Sequence, residues 1–342
     1  THLLVGVLYF TIALARHLDG DVLLFALATE AMVLHLIARR LNDQVVEVVG
    51  HSLSGLTIIW MIYRLGVVTI PYQNEGFIDG QTLTDLWVIA SYVICAVAQK
   101  NRDVVRSYGL VAAAGLAAVV LRELQGDLEL LALAVEAGVV FVLGQVRNDR
   151  VFRIGAHILF AIALSVMFPR LLEAEPSGTP ILNQSALTDL CCIAVLTMVA
   201  IVTRELIVRR VYCLAVIAAV AALTVREFDQ SVQVAMLAFE AGAVAVLARS
   251  VRDGVIRVYA HAFFVLLVAI MWERLTYAGS ISGVIPVANS AAIANLWVIG
   301  VTVVTSRVMT DKRERIIYAS AAHLAFLGWL ASELSRMTNG QG

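Results

Sequence analysis

The chain is a succession of apolar runs, thirteen in all, each bounded by short strips of charge. They fall at approximately 3–16, 22–38, 45–66, 83–99, 104–121, 128–146, 151–168, 187–203, 211–225, 231–248, 255–272, 291–306 and 316–332. A helix crossing the hydrocarbon core needs roughly 20 apolar residues, or about 17 when flanking Arg and Lys reach out to the headgroups. The runs are continuous and do not alternate at every second residue, which favours helices over the strands of a barrel. A composition of 60% hydrophobic and 15% charged residues belongs to the same class. The expectation is an all-α, polytopic transmembrane protein of about 13 spans.

Within this pattern the chain repeats itself. Leu27-Ala28-Thr29-Glu30-Ala31 recurs as Leu133-Ala134-Val135-Glu136-Ala137 and Leu237-Ala238-Phe239-Glu240-Ala241. His51 is matched by His157 and His261, and Met61-Ile62-Tyr63-Arg64-Leu65 by the segments holding Arg170 and Arg274. Asp85 and Asp189 correspond to Asn295, and Tyr108, Tyr212 and Tyr318 follow. The Glu, His and Arg positions step by 106 and then 104 residues, whereas the Asp/Asn and Tyr positions step by 104 and then 106. The slip lies in 66–82, 172–186 and 276–290, where Gly, Pro and Ser collect, as an insertion in a loop should. The spacing predicts three parallel four-helix repeats of about 105 residues, at 18–123, 124–227 and 228–342. Residues 1–17 read as the last helix of a truncated preceding repeat, and therefore as part of a longer protein.

Charge sets the orientation. The connections between the first and second helices of each repeat, and between the third and fourth, hold eighteen of the twenty-five Lys and Arg. These basic connections are expected in the cytoplasm, with the N-terminal end inside and the C-terminal end outside.

The polar residues inside the spans are the candidate sites. Glu30, Glu136 and Glu240 lie near the middle of the first helix of each repeat, about eight residues or ~12 Å from either end. An ionisable group at that depth is costly, so it marks either a function, such as proton or amphiphile handling, or a packing bond to a neighbouring helix. Its appearance in every repeat favours packing. His51, His157 and His261 lie one or two turns away in height, which makes a Glu–His bond within each helix pair an expectation. Arg64, Arg170 and Arg274 end the second helix, and Asp85, Asp189 and Asn295 are expected to open the third. There a carboxylate would cap free N–H groups and clamp the Arg. Arg122-Glu123 and Arg226-Glu227 are expected to neutralise each other. Trp60, Trp87, Trp272, Trp297 and Trp329 suit an interfacial belt.

One His and one distant Glu per repeat lack the three or four ligands of a zinc site, so no metal is expected. The cysteines Cys95, Cys191, Cys192 and Cys213 all fall within spans and read as buried thiols. Glycine-rich phosphate loops, HExxH and a serine nucleophile elbow are absent from the sequence, so no catalytic residues, cofactor or enzyme activity are expected. A net charge of −1 gives no ground for nucleic acid.

The recurring L-A-x-E-A, the basic turn, the His and the M-x-x-R-L resemble a bacterial domain-of-unknown-function family of long, repeat-built polytopic membrane proteins. That resemblance spans essentially the whole chain and implies a bacterial inner membrane; it brings no activity. The functional expectation is a structural or accessory scaffold subunit of a larger membrane complex, with membrane lipids and protein subunits as partners. The alternative is a transporter or lipid-handling protein using the mid-membrane Glu and His.

Overall fold

A computed structural model describes residues 2–67, 79–173, 179–251, 253–277 and 289–339. Among these residues there is no strand, and the chain forms thirteen helices. In order they are α1 (His2–His17), α2 (Gly20–Leu41), α3 (Gln44–Val67), α4 (Gly80–Ala98), α5 (Arg102–Glu123), α6 (Asp127–Val146) and α7 (Arg150–Glu173). There follow α8 (Gln184–Val202), α9 (Leu206–Glu227), α10 (Gln230–Val251), α11 (Gly254–Tyr277), α12 (Ser290–Val308) and α13 (Lys312–Asn339). Eleven of them, α2 to α12, are long and apolar enough to cross a membrane. Of the terminal pair, α1 is shorter at 16 residues. The chain is an integral, multi-pass membrane protein.

The helices gather into two compact units, residues 1–166 and 167–342. In the first, α2 packs against α3 and α4, and α4 against α5. In the second, α10 packs against α11 and α12, and α12 against α13. Small residues let the helices approach: Ala28 and Ala112 in the first unit, Ala238, Ala241 and Ala260 in the second. Large aliphatic residues such as Ile59, Val97, Ile201, Val258 and Val265 point outward, as they do where the solvent is hydrocarbon.

Tight turns join the paired helices. Asn42 and Asn148 take left-handed conformations after α2 and α6, with φ of 53° and 48°. Asp43, Asp149 and Asp253 then accept from the N–H groups of Val45, Val151 and Val255, opening α3, α7 and α11. The loops expected to carry the slip lie largely outside the described residues, at 68–78, 174–178 and 278–288.

The start of α4, α8 and α12 corrects an expectation. Asp85, Asp189 and Asn295 do not cap these helices. The caps are Asp79, Asn183 and Asn289, which accept from the N–H groups of Thr82, Ala186 and Ala292 at 2.6, 2.7 and 2.7 Å. The N–H of Thr82 holds the Asp79 carboxyl below its usual range, against the pull of partial burial. Asp85, Asp189 and Asn295 each lie six residues further along, beyond reach of the free N–H groups, and are buried.

Candidate functional site

Three layers of polar side chains cross the apolar interior, one near each end of the helices and one at mid-depth.

At one end, two arginines from different helices meet a buried aspartate. Arg122 Nη1 reaches Asp85 Oδ2 at 2.8 Å, and Arg64 Nη2 reaches Asp85 Oδ1 at 3.6 Å. Arg64 also contacts Asp21 at 2.8 Å, and Arg122 contacts Glu123 at 2.5 Å. The cluster thus ties α2, α3, α4 and α5 together. In the second unit, Arg226 meets Asp189 at 2.8 Å and Glu227 at 2.8 Å, while Arg170 approaches Asp189 at 3.9 Å. Glu227 also accepts from Asn183 Nδ2 at 2.6 Å, joining the cluster to the α8 cap. The Asp85 and Asp189 side chains are wholly inaccessible. Charges so placed persist only when matched by opposite charge.

The corresponding place on α12 carries Asn295, whose side-chain oxygen is buried without a hydrogen bond. Arg274 instead donates to Ser231 at 3.1 Å. The residue that the spacing aligns with Arg122 and Arg226 is Ser332. Carboxylate and guanidinium are therefore lost together. Sequence reading by nearest neighbour paired Arg122 with Glu123 and missed its contact with Asp85, as well as that of Arg64 with Asp21.

At the opposite end, Arg106 on α5 bonds Asp149 at 2.6 Å, and Arg210 on α9 bonds Asp253 at 2.8 Å. Burial opposes ionisation of Asp149, but the bonds from Arg106 and the Val151 N–H outweigh it and hold its pKa low. For Asp253 the Arg210 bond is the leading influence and acts in the same direction. The sequence reading missed these bridges too, although Asp43, Asp149 and Asp253 keep the repeat spacing.

The expected Glu–His bond does not form. His51 Nδ1 meets Tyr108 OH at 2.5 Å, and His261 Nδ1 meets Tyr318 OH at 2.7 Å, with Glu314 at 3.3 Å on its other nitrogen. His157 lies tilted against the Phe141 ring, 6.0 Å between centroids. The reason is helical height. Counting back from the α2–α3 turn at ~1.5 Å per residue, His51 stands level with His35, not with Glu30.

His35 anchors a polar network that recurrence alone could not show. It is fully buried, with Tyr108 OH at 2.9 Å and Ser54 Oγ at 3.3 Å on Nε2, and Gln99 Nε2 at 3.0 Å on Nδ1. Thr57 and Tyr92 join at 2.6 Å, and both hydroxyls contact the Ser54 carbonyl. The positions aligned with His35, Ser54, Thr57 and Tyr92 are Phe141, Phe160, Ala163 and Leu196 in the next repeat. The signal lay in the departures from the repeat.

At mid-depth the glutamates diverge. Thr11 donates to Glu30 Oε1 at 2.8 Å, and Thr224 donates to Glu240 Oε1. Both oxygens of Glu136 are buried without a hydrogen-bond partner. Glu30 and Glu136 are buried and Glu240 is half-buried. Among the tryptophans, Trp87 donates to Thr29 at 2.9 Å and Trp297 to the Ala235 carbonyl at 3.1 Å. Trp329 is buried in the core of the second unit and so does not belong to an interfacial belt. Cys95 and Cys192 are buried, Cys213 is half-buried and Cys191 is exposed, and all four are free thiols. Among the described residues no group of three or more His, Cys, Asp or Glu is placed to hold a metal ion.

No protein-family model, no curated protein and no solved structure matches the chain.

Proposed function

We propose that this chain is a structural or accessory subunit of a larger complex in a bacterial inner membrane, built as three parallel four-helix repeats with its basic connections in the cytoplasm. The observation that carries the reading is the use of the buried charge. Asp85 and Asp189 each face two arginines drawn from other helices, so their charge is spent on joining helices to one another. A transport or catalytic site instead leaves its charged groups free to meet a ligand.

The second set of bridges extends the same logic between repeats. Arg106 closes the first repeat and Asp149 lies in the turn of the second; Arg210 and Asp253 repeat this between the second and third. The first two repeats are thus each braced within themselves at one end and to their successor at the other. Terminal helices α1 and α13 complete thirteen spans in this arrangement. The chain carries out no reaction of its own.

The test is purification of the tagged protein from its native membrane in mild detergent, followed by reconstitution alone in proteoliposomes. A scaffold retains a stoichiometric membrane partner and carries no proton or ion flux. Flux by the purified chain, abolished by one Glu→Gln change while the other two are silent, overturns the reading.

A further inference from the structure

Glu136 differs from its two counterparts in one neighbour. Glu240 receives its hydrogen bond from Thr224 on α9, the helix before its own. The residue that the repeat spacing places at the same point of α5 is Val120. Glu30 is served by Thr11 on α1, on the preceding helix again. Glu136 alone of the three receives no bond from a hydroxyl on the preceding helix; it is 7% exposed, and neither of its oxygens is bonded.

Glu136 and Val120 both line a groove of about 630 Å³ between α4, α5 and α6. Apart from Glu136 and from Arg147 at the end of α6, its walls are apolar, formed by residues such as Val93, Val97, Leu116 and Val139. Ala112 and Ala113 keep the α5 wall low. The volume falls within the range that accommodates small ligands, ~300–1,000 Å³.

Depth restricts the occupant. Glu136 is nine residues from the start of α6 and ten from its end, or roughly 14 Å from either end at 1.5 Å per residue. The hydrocarbon core is about 30 Å thick, so charged headgroups remain at the surface, far from this carboxyl. A ligand satisfying Glu136 must carry an uncharged hydrogen-bonding group on a chain that is otherwise apolar. Thr11 and Thr224 identify which group this protein uses for a glutamate at this depth: a hydroxyl.

We propose that the groove between α4, α5 and α6 binds a long-chain lipid alcohol, whose hydroxyl occupies the place of the missing threonine and hydrogen-bonds Glu136. This goes beyond the scaffold role and does not depend on it. The groove would make α4 to α6 a lipid-recognising element of the chain.

The test uses the full chain in phosphatidylcholine nanodiscs, titrated with the C15 isoprenyl alcohol farnesol. Hexadecane, which has no polar group, and a decyl-chain benzoquinone, which offers only carbonyls, are the comparison ligands. The alcohol should bind the wild type more tightly than Val120→Thr, which supplies the internal hydroxyl, by roughly 3- to 30-fold, the worth of one hydrogen bond in a membrane. Glu136→Leu should lose the same increment, and Glu136→Gln, which keeps a donor and an acceptor, should retain most of it. Val120→Thr is close to isosteric with the wild type and adds an internal bond, so a melting temperature at or above that of the wild type separates lost binding from lost fold. Infrared spectra should show the Glu136 C=O stretch shift on addition of the alcohol in the wild type only. Equal binding of hexadecane, tighter binding of the quinone, or an alcohol affinity indifferent to Val120→Thr overturns the proposal.

Discussion

Gly50 on α3 lies directly beneath the ring of His35 on α2: a Cβ at Gly50 would stand 3.1 Å from His35 Cε1. The aligned positions on α7 and α11 are Ala156 and Ala260, and both are buried. In the third repeat, Ala260 accompanies Ala245 in place of the histidine. Gly50→Ala should therefore displace the imidazole from its bonds with Tyr108 and Ser54 and destabilise by about 1–3 kcal/mol, as overpacking does. The double change His35→Ala with Gly50→Ala should cost less than the sum of the single changes, by about 0.5 kcal/mol or more. Additive melting data in detergent would refute the coupling.

Asp85→Asn should be among the most damaging single changes in the first unit. It removes the carboxylate that Arg64 and Arg122 share and leaves each with one acid, Asp21 and Glu123. The loss should therefore approach, without exceeding, the cost of breaking a buried pair, about 3–5 kcal/mol. Adding Arg122→Ser reproduces the Asn295 and Ser332 combination and should recover a large part of that loss. Chemical unfolding of the two variants decides it; a double variant worse than Asp85→Asn would refute it.

The three glutamates should respond differently to the same substitution. Glu30→Leu and Glu240→Leu each remove a bond to threonine, worth about 0.6–2 kcal/mol in a membrane. Glu136→Leu removes none and should be neutral or stabilising in the purified, lipid-alcohol-free protein. The corresponding Glu→Gln changes at 30 and 240 keep a group for the threonine and should have little effect. Thermal melts of all five variants provide the comparison.

Acidification should weaken the bridges Arg106–Asp149 and Arg210–Asp253. Both carboxyls have pKa values below the ordinary 3.8, so each binds its proton less readily folded than unfolded. Their contribution is therefore fully present above pH 3.8 and is lost as pH falls through the lower, folded value. The melting difference between wild type and Asp253→Asn should be flat from pH 8 to 5 and shrink below 3.8. A difference that grows on acidification would refute the assignment.

The segment 66–82 should face the side opposite the basic connections. A cysteine introduced there, with the native thiols replaced, should react with an impermeant maleimide only from outside the cell. Labelling from the cytoplasmic side alone would invert the topology.

The membrane class and the helices were legible because the hydrophobic pattern needs nothing beyond local sequence. The polar chemistry was legible only where it recurred. Matching Arg64 with Arg170 and Asp85 with Asp189 drew attention to residues that the fold does bring within 3.6 and 3.9 Å. What recurrence concealed were the singular positions: Ser54, Thr57, Tyr92 and Gln99, polar in one repeat and largely apolar in the next, form the His35 network. The helix caps were misplaced by six residues because Asp79 precedes an unremarkable Gly-Gln-Thr, whereas Asp85 stands out amid Leu and Trp. A buried aspartate and a capping aspartate differ only in three dimensions.

The exchange of Asp85 and Arg122 for Asn295 and Ser332 has a mechanical consequence. Charge contacts at one end of α2 to α5 join all four helices, so a load applied there is shared among them. At the corresponding place in α10 to α13 the shared aspartate and the second arginine are replaced by Asn295 and Ser332. Drawn out of the bilayer by a single-molecule probe, α10 to α13 should come away in small steps of one or two helices. The helices held by Asp85 should resist and then leave together, in fewer and larger force peaks.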